Sequence, residues 1–142
     1  MPQLTADKGR AYKATVEPIF NDLAVAATVN IFEGSAVGIV SGTGLARQLV
    51  AADVFEGFAE EVALNNPGAA SAIRVRVRRK GIITASVTGV SAATSLGATV
   101  AMSDGDVFTT TTTANTTIGR VARWLGGSNC EIYFQAASIR SI

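Results

Sequence analysis

The chain has 142 residues, twelve Lys and Arg against eleven Asp and Glu for a formal net charge of +1, and 48% hydrophobic residues. That length fits one ordinary domain burying about 68–70% of the surface it exposes unfolded, and so small a net charge gives no field to draw the whole molecule onto nucleic acid or an anionic membrane. The sequence contains no histidine and one cysteine, Cys130, which excludes an internal disulfide and removes most Ser-His, Cys-His and zinc constellations at once.

From Met1 to Glu17 the chain is polar, with Pro2, Gly9 and the cations Lys8, Arg10 and Lys13 around one aromatic, Tyr12; Pro18 then stops any helix from running on. Such a segment closes no core of its own. It reads as an extended N-terminal arm over residues 1–22, either a frayed terminus or an arm that orders against a partner, ahead of a single domain over 23–142. Residues Met1 to Arg10 lack an apolar h-region, and the longest apolar stretch, Leu23 to Val29, falls short of the roughly 20 residues a bilayer span needs. The expectation is a soluble chain without an export address.

Leu23, Val25, Ala27, Val29 and Ile31 alternate with other residues up to a break at Glu33-Gly34-Ser35, the pattern of a strand entering a turn. Ala36 to Val40, the turn Ser41-Gly42-Thr43-Gly44 and the return Leu45 to Val50 predict a hairpin with Arg47 and Gln48 outward. Asp53 to Leu64 is ambiguous: Asp53 and Glu56 have capping-box spacing and Val54, Phe58 and Val62 could share a helical stripe, but Gly57 costs about 1 kcal/mol in a helix. A turn at Ala51 to Asp53 and a short strand from about Gly57 is favoured, with a short helix as the alternative. Asn65-Asn66-Pro67-Gly68 is a turn.

From Ile73 to Val87 the odd positions Ile73, Val75, Val77, Ile83, Ala85 and Val87 are apolar, while Arg74, Arg76, Arg78, Lys80, Thr84 and Ser86 take even ones. This predicts a long strand with one dry face, bent at Arg79 to Gly81. Burying Val75 and Val77 is worth about 1.5–3 kcal/mol each, and a one-residue slip would put guanidiniums in the core, so the register is fixed. Five of the twelve cations fall between Arg74 and Lys80. They suit a solvated face paired with Glu56, Glu60, Glu61 or Glu131, a protein contact surface, or phosphate binding.

Ser91 to Ser95 reads as a linker, Gly97 to Met102 as a strand, Ser103-Asp104-Gly105-Asp106 as a turn, and Val107 to Thr113 as the return. Calcium is disfavoured there because Val107 and Phe108 stand where oxygen ligands belong. Gly42-Thr43-Gly44 lacks the third glycine of a dinucleotide loop, and the sequon at Asn115 has no meaning without secretion. The last hairpin joins Ile118 to Leu125 through Gly126-Gly127-Ser128-Asn129 to a strand with Cys130, Ile132, Phe134 and Ala136 on one face. Cys130 is therefore expected as a buried, inert thiol with no base to activate it. Trp124, Tyr133 and Phe134 suit either core or a subunit interface. Many short strands with glycine turns predict an all-β barrel or sandwich.

The run NIFEGSAVGIVSGTGLARQLVAADVFEGFAEE at Asn30 to Glu61, then IRVRVRRKGIITASVTG at Ile73 to Gly89, then GATVAMSDGDVFTTT and TIGRVARWL between Gly97 and Leu125, resembles head decoration (capsid cement) proteins of tailed bacteriophages. The resemblance implies a small β-barrel or β-tulip-like domain with an extended N-terminal arm. It further implies a homotrimer at three-fold sites on the outer surface of the virion, made in the host cytoplasm and bridging copies of the major capsid protein. That role involves no catalysis, cofactor, metal, small-molecule substrate, membrane or direct nucleic acid. Within it the expected capsid contacts are Lys8, Arg10, Tyr12 and Lys13, and the interface candidates are Arg74, Arg76, Arg78, Trp124 and Tyr133. The alternative from another class is a small barrel that binds single-stranded nucleic acid across the Arg74 to Lys80 strand.

Overall fold

The alternating run from Ile73 to Val87 folds as two strands separated by one residue, Arg79. The computed structural model describes residues 3–13 and 19–139; the readings made on Pro2, Glu17 and Pro18 lie outside the described residues. In chain order the strands are β1 (Ala11–Tyr12), β2 (Phe20–Ala24), β3 (Asn30–Ile31), β4 (Ala36–Ile39), β5 (Ala46–Gln48), β6 (Val54–Ala59), β7 (Ala63–Leu64), β8 (Arg74–Arg78), β9 (Lys80–Thr88), β10 (Thr99–Met102), β11 (Phe108–Thr109), β12 (Thr116–Gly126) and β13 (Asn129–Gln135). Short 3-10 turns occupy Ala93–Ser95 and Ala137–Ile139.

Strands β9, β11, β10, β12 and β13 close into a five-stranded barrel, because β9 pairs with β11 at one side and β13 at the other. A second sheet runs β2-β8-β6-β4-β5, and β3 and β7 form a small ribbon. The protein is therefore nearly all β, as expected, with a closed barrel at its centre.

Each half of the long alternating run feeds a different core. Val75 and Val77 are buried with Val25, Ile31, Val37, Ala46, Ala59 and Ala63 beneath the second sheet, whereas Ile83 and Val87 join Val100, Met102, Ile118, Ile132 and Phe134 inside the barrel. Parity survives the bend, so the arginines stay outside and the register is the one the pattern dictates. Arg79 is the crossing point: its N–H donates to Ile19 O at 2.7 Å beside the second sheet, and its C=O accepts from Ala136 N at 2.7 Å beside the barrel.

Strand β6 couples the two cores. Gly57 sits at φ +129°, and the register against β4 shifts between Val37 and Gly38, the signature of a bulge that inserts one residue and re-aims its neighbours. Phe55 and Phe58, three apart, thereby both enter the barrel core, while Ala59 enters the other. Phe58 meets Phe134 edge-on at 4.8 Å between ring centroids, and Phe55 meets Phe58 at 5.6 Å, separations in the favourable range for aromatic pairs.

Several expectations are corrected. Asp53 to Leu64 holds two strands rather than a helix, β6 starting at Val54, three residues before Gly57, and β7 at Ala63. Asp53 caps no helix; its carboxylate takes two hydrogen bonds from Arg47 and one from Val50 N, tying the turn. Gln48 points inward, not outward, and is 7% exposed. The strand expected from Leu23 to Ile31 is split by a turn with Thr28 at φ +55°, and the linker Ser91 to Ser95 contains a 3-10 turn. Of the return Val107 to Thr113, Phe108–Thr109 is strand; it pairs with β10 and, in parallel, with β9, which closes the barrel. The boundary at Asp22 falls inside β2, which starts at Phe20 because that residue and its neighbours pair with β8.

Candidate functional site

Residues Gln3 to Lys13 form a belt laid across both sheets. The side chain of Gln48 grips the main chain of Leu4 from both sides, its Oε1 accepting from Leu4 N and its Nε2 donating to Leu4 O, each at 2.9 Å. Gln3 Oε1 accepts from Gly105 N at 3.0 Å, and Lys8 N donates to Glu33 O at 2.8 Å. The belt then becomes β1, whose Ala11 and Tyr12 pair with Thr84 and Ile83 of β9. Since β13 already occupies Lys80 to Ser86, β1 takes the opposite edge of β9.

The four cation-rich arm residues all engage this same chain. Arg10 turns inward until its side chain is 5% exposed, donating from Nε to Gly34 O at 2.6 Å and from Nη2 to Asp106 at 3.1 Å, with its guanidinium 5.4 Å and 5.3 Å from the ring centres of Phe58 and Phe108. Lys8 reaches the same Asp106 carboxylate at 2.8 Å, and Lys13 pairs with Glu131 at 3.1 Å. Tyr12 packs 6.1 Å from Phe134, with its hydroxyl buried and without a hydrogen-bond partner among the described residues. Burial pushes the Arg10 guanidinium below its ordinary range, and Asp106 opposes that push. Burial would raise Asp106, but the hydrogen bond and charge of Lys8, joined by Arg10, outweigh it and hold the carboxyl below its usual value. Burial and the nearby Glu60 push the Tyr12 phenol upward.

The basic cluster becomes a ladder of guanidiniums and rings. Arg78 lies 3.9 Å from the Tyr12 ring centre and pairs with Glu60 at 2.7 Å; Arg76 lies 4.1 Å from the Phe20 ring centre; Arg74 donates to Asp22 O at 2.9 Å. Stacking on a ring covers a guanidinium's face and leaves its N–H edge open. Arg79 turns away and donates to Ser138 Oγ, which in turn donates to Glu56 Oε2 at 3.0 Å. Of the carboxylates expected opposite the cluster, Glu60 takes that part. Glu131 pairs with Lys13 instead, and Glu56 is buried behind Ser138.

The other candidates lie apart from both features. Trp124 is half-buried against the barrel core and donates from Nε1 to Gly127 O at 3.0 Å. Tyr133 sits opposite Arg120 and helps line a cleft of about 450 Å³ over Gly119. Cys130 is buried in the barrel, and burial pushes its thiol up, which disfavours the thiolate. In the Asp104 turn, Oδ1 accepts from Asp106 N and Val107 N, a turn-closing role.

Gly34, Gln48 and Asp106, which fix the belt, were not legible as partners of residues dozens of positions upstream. Phe20 had one signal: the alternation starting at Leu23 extends back through Asn21 with Phe20 and Asp22 on the other face. No protein-family model matches the chain, and no curated protein is recognisably similar to it in sequence.

Proposed function

We propose that this chain is a capsid decoration protein, docking as a trimer on the outer surface of an expanded phage head and bridging neighbouring major capsid proteins without chemistry of its own. The observation that carries the reading is the order of motifs from Asn30 to Leu125, which resembles that family, and whose later runs, from Lys80 on, build strands of a closed β-barrel. Many weak, identical contacts around a closed shell add up by multivalency, so no single contact has to be tight. With Arg10 and Tyr12 packed inward, the outward side of the belt at Lys8 and Lys13, each over two-fifths exposed, is the part left to meet a shell.

The test mixes the full-length chain with expanded, undecorated heads of the cognate major capsid protein and with unexpanded proheads, followed by sedimentation and image reconstruction. Added outer density at three-fold sites on the expanded heads is expected; absence of co-sedimentation overturns the reading.

One observation favours the nucleic-acid alternative: Phe20 and Tyr12 interleave with the arginines. Yet stacking binders need open ring faces, and here the guanidiniums cover them.

A further inference from the structure

We propose that Arg74 and Arg76, with the outer edge of β2, form a docking surface for an extended acidic segment of a partner protein, one carrying carboxylates at alternate positions. Arg74 and Arg76 stand two apart on the exposed face of β8, so their side chains repeat at about 6.5–7 Å. A Glu-x-Glu segment in extended conformation repeats its carboxylates at that same distance. The guanidiniums are pre-positioned. Arg76 is held by its face on Phe20, and among the described residues no carboxylate pairs with it or with Arg74. A guanidinium edge matches carboxylate geometry in two-bond fashion, and Arg74, which gives one Nη2 donor to Asp22 O, keeps further N–H groups for a partner.

The backbone beside them supplies the rest. Val25 N donates to Ile73 O and Arg79 N to Ile19 O, so with the β2–β8 register the odd residues of β2 bond inward, and the N–H and C=O of Phe20 and Asp22 face the outer edge. Among the described residues no strand covers that edge over Phe20–Asp22; it closes farther on, where Val25 bridges Ala46. Arg74 reaches over this edge to Asp22 O. A segment lying there would pair main chain to main chain while its acidic side chains met the arginines. The ring faces covered by guanidiniums favour a protein segment over a nucleic acid that binds by base stacking.

The proposal rests on the decoration reading for its partner, a shell protein, but its test needs no shells, so either can fail alone. Full-length, isotope-labelled protein is titrated with an acetylated dodecapeptide of alternating Glu and Thr, with its Lys-Thr counterpart, and with an oligothymidylate of equal length. The acidic peptide is expected to move the Phe20 and Asp22 amides and the Arg74 and Arg76 Nε–H signals. Arg74→Glu with Arg76→Glu should weaken this at least about tenfold, with the remaining spectrum unchanged. Should that variant misfold, the wild-type shift map still decides. No shifts up to about 1 mM peptide, equal shifts with the Lys peptide, or tighter binding of the oligothymidylate would each overturn the proposal.

Discussion

The carbonyl oxygen of Lys8 lies 1.7 Å from where a Cβ on Gly34 would stand, and Gly34 itself sits at φ +87°. Glycine is required there twice over, once by the backbone conformation and once by the passing belt. Gly34→Ala is expected to lift the belt and destabilise the fold by about 1–3 kcal/mol. Thermal unfolding measures the loss, and faster hydrogen exchange at Tyr12 and Lys13 would locate it in the belt. An unchanged melting temperature contradicts the cradle.

Asp106 predicts an acid response. Its carboxyl is held below its usual value by Lys8 and Arg10, so the stability it contributes is fully present above the unfolded pKa and is lost as pH falls through the lower, folded one. Below about pH 4 the wild type should therefore lose belt contacts progressively, because protonation removes the charged partner of a buried guanidinium that lies against the Phe58 and Phe108 rings. Asp106→Asn should be less stable at neutral pH and show a flatter dependence in this acid range. Urea unfolding across the range checks both, and parallel curves for the two chains would refute the assignment.

Ser138 joins Arg79 to the buried Glu56 through one hydroxyl. Removing it takes a hydrogen-bond partner from the buried Glu56 carboxylate, at a cost of about 1 kcal/mol. Ser138→Ala should show that loss in denaturant unfolding. Ser138→Thr keeps the hydroxyl and should be milder, and equal losses for the two would mean that the hydroxyl bridge is not what matters.

Phe58 touches Phe55, Phe108 and Phe134, and the Arg10 guanidinium lies over its ring. Phe58→Ala should cost about 3–5 kcal/mol and loosen the belt together with the core. Calorimetry reads the first effect and hydrogen exchange at Tyr12 the second. Loss of stability with the belt still protected would show that belt and core are not coupled through this ring.

Periodicity is legible where a strand keeps its parity against one core. Val75 and Val77 against the second-sheet core, Ile83 and Val87 against the barrel core, and Cys130, Ile132 and Phe134 on β13 are such cases. It fails where the backbone resets the count. The bulge at Gly57 puts Phe55 and Phe58 on one face, a spacing that mimics a helix, and the positive φ of Thr28 divides what looks like a continuous strand. The belt was hidden for another reason. Arg10 reads as a solvated cation because its acceptors, Gly34 O and Asp106, lie 24 and 96 residues away, and no local pattern encodes that meeting. The ladder was half visible: its cations are consecutive in the pattern, but its rings come from the amino-terminal segment.

The ion pair between Lys13 and Glu131 spans 118 positions, and β1 docks on a strand some seventy residues downstream. During synthesis the belt emerges long before β9, the Asp106 turn and β13 exist to receive it. Those contacts must therefore wait until the chain through Glu131 has been made, so full capture of the belt is a late event in folding rather than a seed for it.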